Sequence, residues 1–281
     1  MNYFYPQQPR VSIGIPCYNS SDTIQRTLDS IQMQNYRNIE IVISDNCSTD
    51  STKSIIESNK HLFPEVKLLW HNKNRGAYIN YRRTIEASSG DYFIFLAADD
   101  YLGDASTIDR LASCLNSQQH CIAAMPAIQF VNGLTISPSS STRSITGCHI
   151  DRVMNYLRRL PNDNPQFYSL YRRKSLLLAL QKTRVCHAYD WIIILKALAQ
   201  GEIIFCPETA LFREVTLVQS YASSVGRDNR GWMTLGQPLL PFMLQAIFSI
   251  RPRYIRSILP ELCRINRVKR EEYKGLTTNK S

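Results

Sequence analysis

Tyr92-Phe93-Ile94-Phe95-Leu96-Ala97-Ala98-Asp99-Asp100 runs apolar from Tyr92 to Ala98 and then stops on adjacent carboxylates. Side chains of a strand alternate between its faces, so an unbroken apolar run predicts a central strand covered on both sides. Upstream, Tyr78, Tyr81 and Ile85 share one face of a helix that Gly90 ends, and Val66 to Trp70 reads as a strand. Further back, Thr49 or Asp50 caps a helix carrying Ile55 and Ile56, preceded by the strand Ile39-Glu40-Ile41-Val42-Ile43. Ser20 and Ser21 are capping residues for a helix with Ile24, Leu28 and Ile31, and Val11 to Ile15 alternates as a strand ended by Pro16. Strand and helix in strict alternation predict an α/β fold with a Rossmann-like, mostly parallel sheet flanked by helices. Ligands of such sheets bind beyond the carboxyl ends of the strands. The strand ends here are polar: Cys17-Tyr18-Asn19, Ser44-Asp45-Asn46 and Asp99-Asp100. They are expected to converge on one crevice.

Beyond residue 105 the pattern loosens. Ile108, Leu111, Ala112 and Leu115 mark a helix, and Ile128 to Ile136 reads as a hairpin turning at Asn132-Gly133. Ser137 to Ser144 reads as a mobile serine-rich loop, Asp151 to Leu160 as a helix, and Pro161 to Pro165 as irregular. Phe167 to Tyr171 is expected as a strand, Asp190 to Gln200 as a helix stopped by Gly201, and Ile203 to Cys206 as a strand. From about Gly226 the character changes: Pro238 to Ile250 is apolar, and Arg251, Arg253, Arg256, Arg264, Arg267, Lys269 and Arg270 follow. This segment is an appended element, outside the sheet.

Composition narrows the partners. A chain of 281 residues, 44% hydrophobic, is long enough for one large domain or for a domain with an appended subdomain. The net charge of +10 favours an anionic partner, whether nucleic acid, phosphate-bearing substrate or lipid surface. No nucleic-acid-binding motif is present, so nucleic acid is not the expected partner. The eight cysteines show no Cys-x-x-Cys spacing and read as reduced structural thiols of a cytoplasmic protein. The start, Met1 to Pro6, lacks the basic and apolar regions of a signal peptide. Leu239 to Ile250, interrupted by Pro241 and Gln245, falls short of the ~20 residues that span a bilayer. A cytoplasmic protein is expected, with peripheral contact at the inner face of an anionic membrane as an option for the basic tail.

Asp99 and Asp100 can be read in two ways. Adjacent carboxylates repel, so a site that keeps both ionised holds a cation, and hard oxygen ligands suit magnesium or manganese. The bland alternative is a solvated turn. Asp45 at a strand end can accept hydrogen bonds from ribose hydroxyls or a base N–H; the alternative, that this polar run only turns the chain and caps a helix, fits Asp50 better than Asp45. No Gly-x-Gly-x-x-Gly follows the first strand and no Walker loop occurs, which argues against dinucleotide oxidoreductases and P-loop enzymes.

Val11 to Asn19, Ser44 to Asp50 and Phe95 to Asp100 together resemble the family 2 inverting glycosyltransferases of the GT-A fold. Asn74-Arg75-Gly76 with Asn80, and Gly90-Asp91-Tyr92, resemble that family's link into its metal-binding strand. The resemblance is strong over residues 10–105 and weaker to about 215. It implies that Pro16, Tyr18, Asn19 and Asp45 surround the base and ribose of a nucleotide-sugar donor, with Arg75, Gly76, Asn80 and Asp99 completing the donor site. It also implies that Asp99 and Asp100 hold a divalent cation, Mg or Mn, that bridges the diphosphate, with Asp100 the direct ligand. Many members carry an acidic residue where this chain has Ala97.

Tyr189-Asp190-Trp191 resembles the segment that supplies the family's catalytic base, although Tyr189 stands where many members have Glu. A helix cap is the bland reading of Asp190. Phe212-Arg213-Glu214 stands where members carry a basic loop near the phosphates, and His187 is a second, weaker candidate base. The resemblance implies residues 8–105 as a nucleotide-sugar-binding half and 106–226 as an acceptor-binding half of one GT-A domain, with 227–281 as a helical basic extension. The implied activity is transfer of a sugar to an acceptor hydroxyl, on a saccharide or lipid-linked saccharide, in bacterial-type cell-surface polysaccharide or glycolipid synthesis. Two alternatives stay open: a non-catalytic nucleotide-sugar- or carbohydrate-binding relative, and a nucleotidyltransferase.

Overall fold

The computed structural model describes residues 8–161, 163–214 and 237–278, with side chains described as far as residue 272. The first half follows the expected alternation: β1 (Val11–Cys17), α1 (Ile24–Gln32), β2 (Ile39–Asp45), α2 (Thr52–Asn59), β3 (Val66–Trp70), α3 (Ala77–Ala87) and β4 (Tyr92–Phe95). These strands lie in the order β3-β2-β1-β4, and every neighbouring pair among them is parallel. All residues of β1 and β4 are buried, as a run covered by helices on both faces must be.

The second half makes the sheet mixed. It comprises β5 (Tyr101–Leu102), α4 (Thr107–Ser117), β6 (Cys121–Asn132), β7 (Thr135–Pro138), α5 (His149–Arg159), β8 (Leu170–Arg172), α6 (Arg173–Gln181), α7 (Tyr189–Ala197) and β9 (Glu202–Glu214). The order continues β4-β8-β6-β9-β5, with β8 antiparallel to β4 and β6, β5 antiparallel to β9, and β7 paired to β6. The β6–β9 pair is parallel, with a register shift between Pro126 and Ala127. β9 runs well past the expected stop at Cys206, and β5 is an added short strand; its pairing with β9 is set by long-range contact that no local pattern announces. Phe167 lies in a 3-10 turn, Pro165–Tyr168, so the strand expected from it begins only at Leu170. The serine-rich stretch is anchored: Ser139 Oγ donates to Asp163, and Ser141 O accepts Gln166 Nε2 at 3.2 Å.

Two features bind the layers. Gly14 lets α3 close on β1, because a Cβ there would sit 2.7 Å from Thr84 Oγ1. Phe95 stacks on Phe167 at 4.7 Å and Tyr81 packs edge-on to Phe95 at 5.3 Å, so one aromatic cluster joins the two halves. Each such ring contributes about 1.5–3 kcal/mol of burial. At the amino ends of the strands, fully buried Glu40 accepts Ser12 Oγ, Gly90 N at 3.0 Å, Ser89 Oγ at 2.8 Å and Lys67 Nζ at 2.9 Å.

The tail forms α8 (Leu240–Phe248) and α9 (Ile255–Thr278). Leu239, Phe242, Ala246, Ile258, Leu262 and Ile265 are buried in the common core, and Phe242 meets Trp191 of α7 edge-on at 5.7 Å. The boundary expected at 226/227 lies outside the described residues. No helix among the described residues is long and apolar enough to cross a membrane.

Candidate functional site

The carboxyl ends of β1, β2 and β4 meet as the parallel order requires, and side-chain hydrogen bonds lace their loops together. Cys17 O accepts Asn46 N at 3.0 Å and Asn80 Nδ2 at 3.1 Å, which ties β1 to the β2 loop and to α3. Pro16 is buried in β1 opposite Ser44, and Tyr18 beyond it is exposed. Asn19, at φ 49, accepts Thr49 N at 2.9 Å. Asn46 donates to Asn74 at 2.9 Å and accepts Arg75 N at 2.9 Å, while Asn74 accepts Gly76 N at 2.9 Å. Gly76 opens α3 at φ 83, a conformation that disfavours side chains. Thus Arg75, Gly76 and Asn80 stand over the ends of β1 and β2, and Asn80 Oδ1 is buried with no hydrogen-bond partner.

Asp45 is buried, and its carboxylate accepts Ser48 N at 3.0 Å and Ser48 Oγ. It therefore shapes the loop after β2, the turn-forming role that on sequence alone fits Asp50 better than Asp45. His71 packs behind it, donating its backbone N–H to Asp45 O at 3.0 Å. Burial, with Arg83 and Arg75 nearby, lowers the His71 pKa and favours the neutral ring.

Asp99 and Asp100 follow β4 in a turn that α1 pins from below. Thr27 Oγ1 donates to the carbonyls of Ala98 at 3.0 Å and Asp100 at 2.8 Å, and Arg26 reaches Asp99 O at 3.0 Å. The next residue, Tyr101, pairs with Phe212 through β5–β9 and stacks on its ring at 4.9 Å. That pairing delivers Arg213 to Asp100: Nε stands 3.6 Å from Oδ2, and the guanidinium lies 4.0 Å over the Tyr168 ring. Asp100 is 2% exposed, and its Oδ2 has no hydrogen-bond partner. Burial raises the Asp100 pKa to about 8, against the opposing pull of Arg213 and with a further push from Asp99.

Asp190 occupies the first turn of α7, so it is not the cap; that position falls to Ala188 in the left-handed region, φ 63. Asn164 Nδ2 donates to Asp190 Oδ2 at 2.9 Å, and buried Tyr156 OH donates to Asn164 Oδ1 at 2.9 Å. Burial raises the Asp190 pKa; Asn164, first-turn amides and Arg213 oppose this. Tyr168, beneath the Arg213 guanidinium, meets Phe167 edge-on at 5.5 Å, and Phe167 meets Tyr189, the neighbour of Asp190, at 6.5 Å, so one run of rings links Asp190 to the Asp100–Arg213 pair. His187 is buried, and burial with Lys269 nearby lowers its pKa to about 4, so it is neutral at pH 7. Asn164, Tyr168 and Arg26 carried no recognisable motif; the Pro161–Pro165 stretch read only as irregular.

A cavity of about 620 Å³ opens at the other end of the sheet, lined by Ser89, Asp91, Arg172 and Arg173. Its arginines are engaged, Arg172 Nε with Cys121 O and Arg173 Nε with Ser88 Oγ.

The model of glycosyl transferase family 2 matches residues 12–177, more than half of the chain. The chain belongs to that family. Among relatives, it is 32% identical over 93 residues to a putative teichuronic acid biosynthesis glycosyltransferase of Bacillus subtilis. It is 41% identical over 91 residues to the UDP-Glc:alpha-D-GlcNAc-diphosphoundecaprenol beta-1,3-glucosyltransferase WfaP of Escherichia coli. These matches span 33% and 32% of this chain and 37% and 36% of the relatives' own lengths. Among solved structures, S. aureus TarS in complex with UDP superposes with a TM-score of 0.58 at 21% identity, covering 86% of this chain and 72% of that one. A Pyrobaculum calidifontis mannosyltransferase in complex with GDP-Man and Mn2+ gives 0.60 at 19% identity, covering 92% and 69%. The GT-A type of α/β fold expected for family 2 is therefore the fold of this chain, with the mixed sheet described above.

Proposed function

We propose that the protein is an inverting glycosyltransferase that moves a sugar from a nucleoside-diphosphate sugar to an acceptor hydroxyl. The observation that carries this reading is the single locality holding Asp99, Asp100, Arg213 and Asp190. The loops at the ends of β1 and β2, with Pro16, Tyr18, Asn19, Asp45, Arg75, Gly76 and Asn80, would receive the nucleotide. Asp100 Oδ2, buried without a hydrogen-bond partner, fits a divalent cation such as Mg or Mn, with Asp99 beside it and donor phosphates completing the shell. When bound, that ion neutralises charge on the departing diphosphate.

Arg213 would face the same phosphates, held flat by the Tyr168 ring and so pre-oriented for an oxyanion. Asp190, steered by Asn164, would accept the proton of the acceptor hydroxyl as its oxygen attacks the anomeric carbon. Attack opposite the leaving group inverts that centre. The relatives' names concern teichuronic acid and diphosphoundecaprenol-linked substrates, which supports a saccharide or lipid-linked saccharide acceptor.

The tail is consistent with that choice. The face of α8 turned away from the core exposes Leu244 and Phe248, the latter 85% exposed, beside exposed Arg251, Arg253 and Arg256. Such a face would rest on an anionic membrane, each basic residue near the surface contributing ~1 kcal/mol. This would place the protein at the cytoplasmic side, in peripheral contact.

The deciding experiment measures donor binding and turnover on one set of variants, using UDP-, GDP- and dTDP-sugars with and without manganese. Asp100→Asn is expected to lose metal-dependent donor binding. Asp190→Asn should keep donor binding and lose roughly 10²–10⁴-fold in turnover. Full donor binding in excess EDTA, or near-normal turnover of Asp190→Asn, would overturn the assignment. Pyrophosphate release would instead favour nucleotidyl transfer.

A further inference from the structure

We propose that His120, Cys121 and Glu202 form a binding site for a zinc-class divalent cation, separate from the crevice. Cys121 opens β6 and Glu202 opens β9, and the two pair directly across the parallel ladder. One ligand atom from each of His120, Cys121 and Glu202 lies within 4.8 Å of the others, the one such three-residue group among the described residues. A tetrahedral ion with bonds of about 2.0–2.3 Å holds its donors roughly 3.3–3.8 Å apart. His120 Nε2 is already 3.4 Å from Glu202 Oε2, and its side chain is 64% exposed, so a rotation of that ring closes the set.

The surroundings hold these donors in place. Glu202 Oε1 accepts the Gly147 N–H at 2.9 Å, which leaves the other oxygen facing His120. Outer hydrogen bonds of this kind orient metal ligands. Gly201 permits the close approach: a Cβ there would lie 2.7 Å from His120 O and 2.7 Å from Ile122 Cγ2. Imidazole, thiolate and carboxylate together select zinc or its soft neighbours over magnesium or calcium. On binding, the Cys121 thiol passes its proton to solvent and its sulfur becomes a ligand. A fourth position is left to water.

The site is remote from donor chemistry. Glu202 begins β9 and Arg213 lies near its end. Across the bulge in β9 the two positions are matched by nine residues of β6, which span roughly 30 Å. The bound ion would staple the α4–β6 and α7–β9 junctions, so its effect is on stability.

The test is cobalt(II) titration of the reduced, chelator-treated full chain, followed by displacement with zinc and by thermal melts. The wild type should show a thiolate-to-cobalt charge-transfer band at one equivalent, and zinc should raise its Tm. Asp100→Asn should retain both effects. Cys121→Ser should lose the band, and His120→Ala, at an exposed position that does not threaten folding, should weaken binding at least tenfold. Absence of the band in wild type, its persistence in Cys121→Ser, unchanged affinity in His120→Ala, or its loss in Asp100→Asn would each overturn the proposal.

Discussion

Replacing Glu40 with Gln tests the clamp at the amino ends of β1 and β2. The substitution keeps the shape and leaves one carbonyl oxygen to accept Ser12 and Gly90. It removes the charge that Lys67 Nζ meets at 2.9 Å and turns an amide N–H toward Ser89 and Lys67, which themselves donate. Burial alone would raise the Glu40 pKa, but hydrogen bonds from Ser12, Ser89 and Lys67 outweigh it and lower the value to about 2. That depression below the ordinary carboxylate range corresponds to about 3 kcal/mol of folding stability at neutral pH.

The sign follows from the depressed value. The contribution is complete above the unfolded carboxylate's pKa and fades as pH falls toward about 2. Urea unfolding at pH 7 should therefore show Glu40→Gln less stable by ~2–4 kcal/mol, a drop in Tm on the order of 3–7 °C for a chain of this size. At a pH of about 3 the gap between the two proteins should shrink to about half. Turnover per folded molecule should stay the same, because Glu40 lies at the strand ends opposite the crevice. A gap below about 0.5 kcal/mol at pH 7, or one that does not narrow with acid, would refute the reasoning.

Asn164→Ala should slow turnover while sparing donor affinity. Because Asn164 lowers the pKa of an Asp190 already raised by burial, its loss should move the acid limb of the pH–rate profile upward; an unmoved limb would detach Asn164 from the base. Asp45→Ala should weaken nucleoside-diphosphate binding at least tenfold, through loss of the Ser48 contacts and of any direct ribose contact, with the melting transition still cooperative. Unchanged affinity by calorimetry would remove Asp45 from the site. Phe248→Ser combined with Arg251→Ser should lower sedimentation with anionic liposomes without altering turnover on a soluble acceptor. Equal sedimentation of variant and wild type would count against membrane contact.

Much of the first half was legible before folding because its information is local. The periodicity of Val11 to Leu96 predicts each strand and helix, and a parallel α/β order then places every strand's carboxyl end on one side. From that rule alone Asn19, Asp45, Asp99 and Asp100 fall at one edge. The second half depends on pairing between distant segments. Nothing near Tyr101 or Phe212 announces that they stack, yet that contact brings Arg213 to Asp100. Asn164 sat in a stretch without periodicity, and only the fold sets it between Tyr156 and Asp190. The serine-rich segment read as mobile because composition reports solvent preference, whereas its anchor is Asp163, whose approach depends on the tertiary fold. Likewise, the tail's sequence determined an apolar stretch followed by basic residues, and only packing decided that Phe242 faces Trp191 while Phe248 faces outward. Local sequence sets backbone periodicity and strand direction; the partners of a side chain across long loops are chosen by the whole core at once.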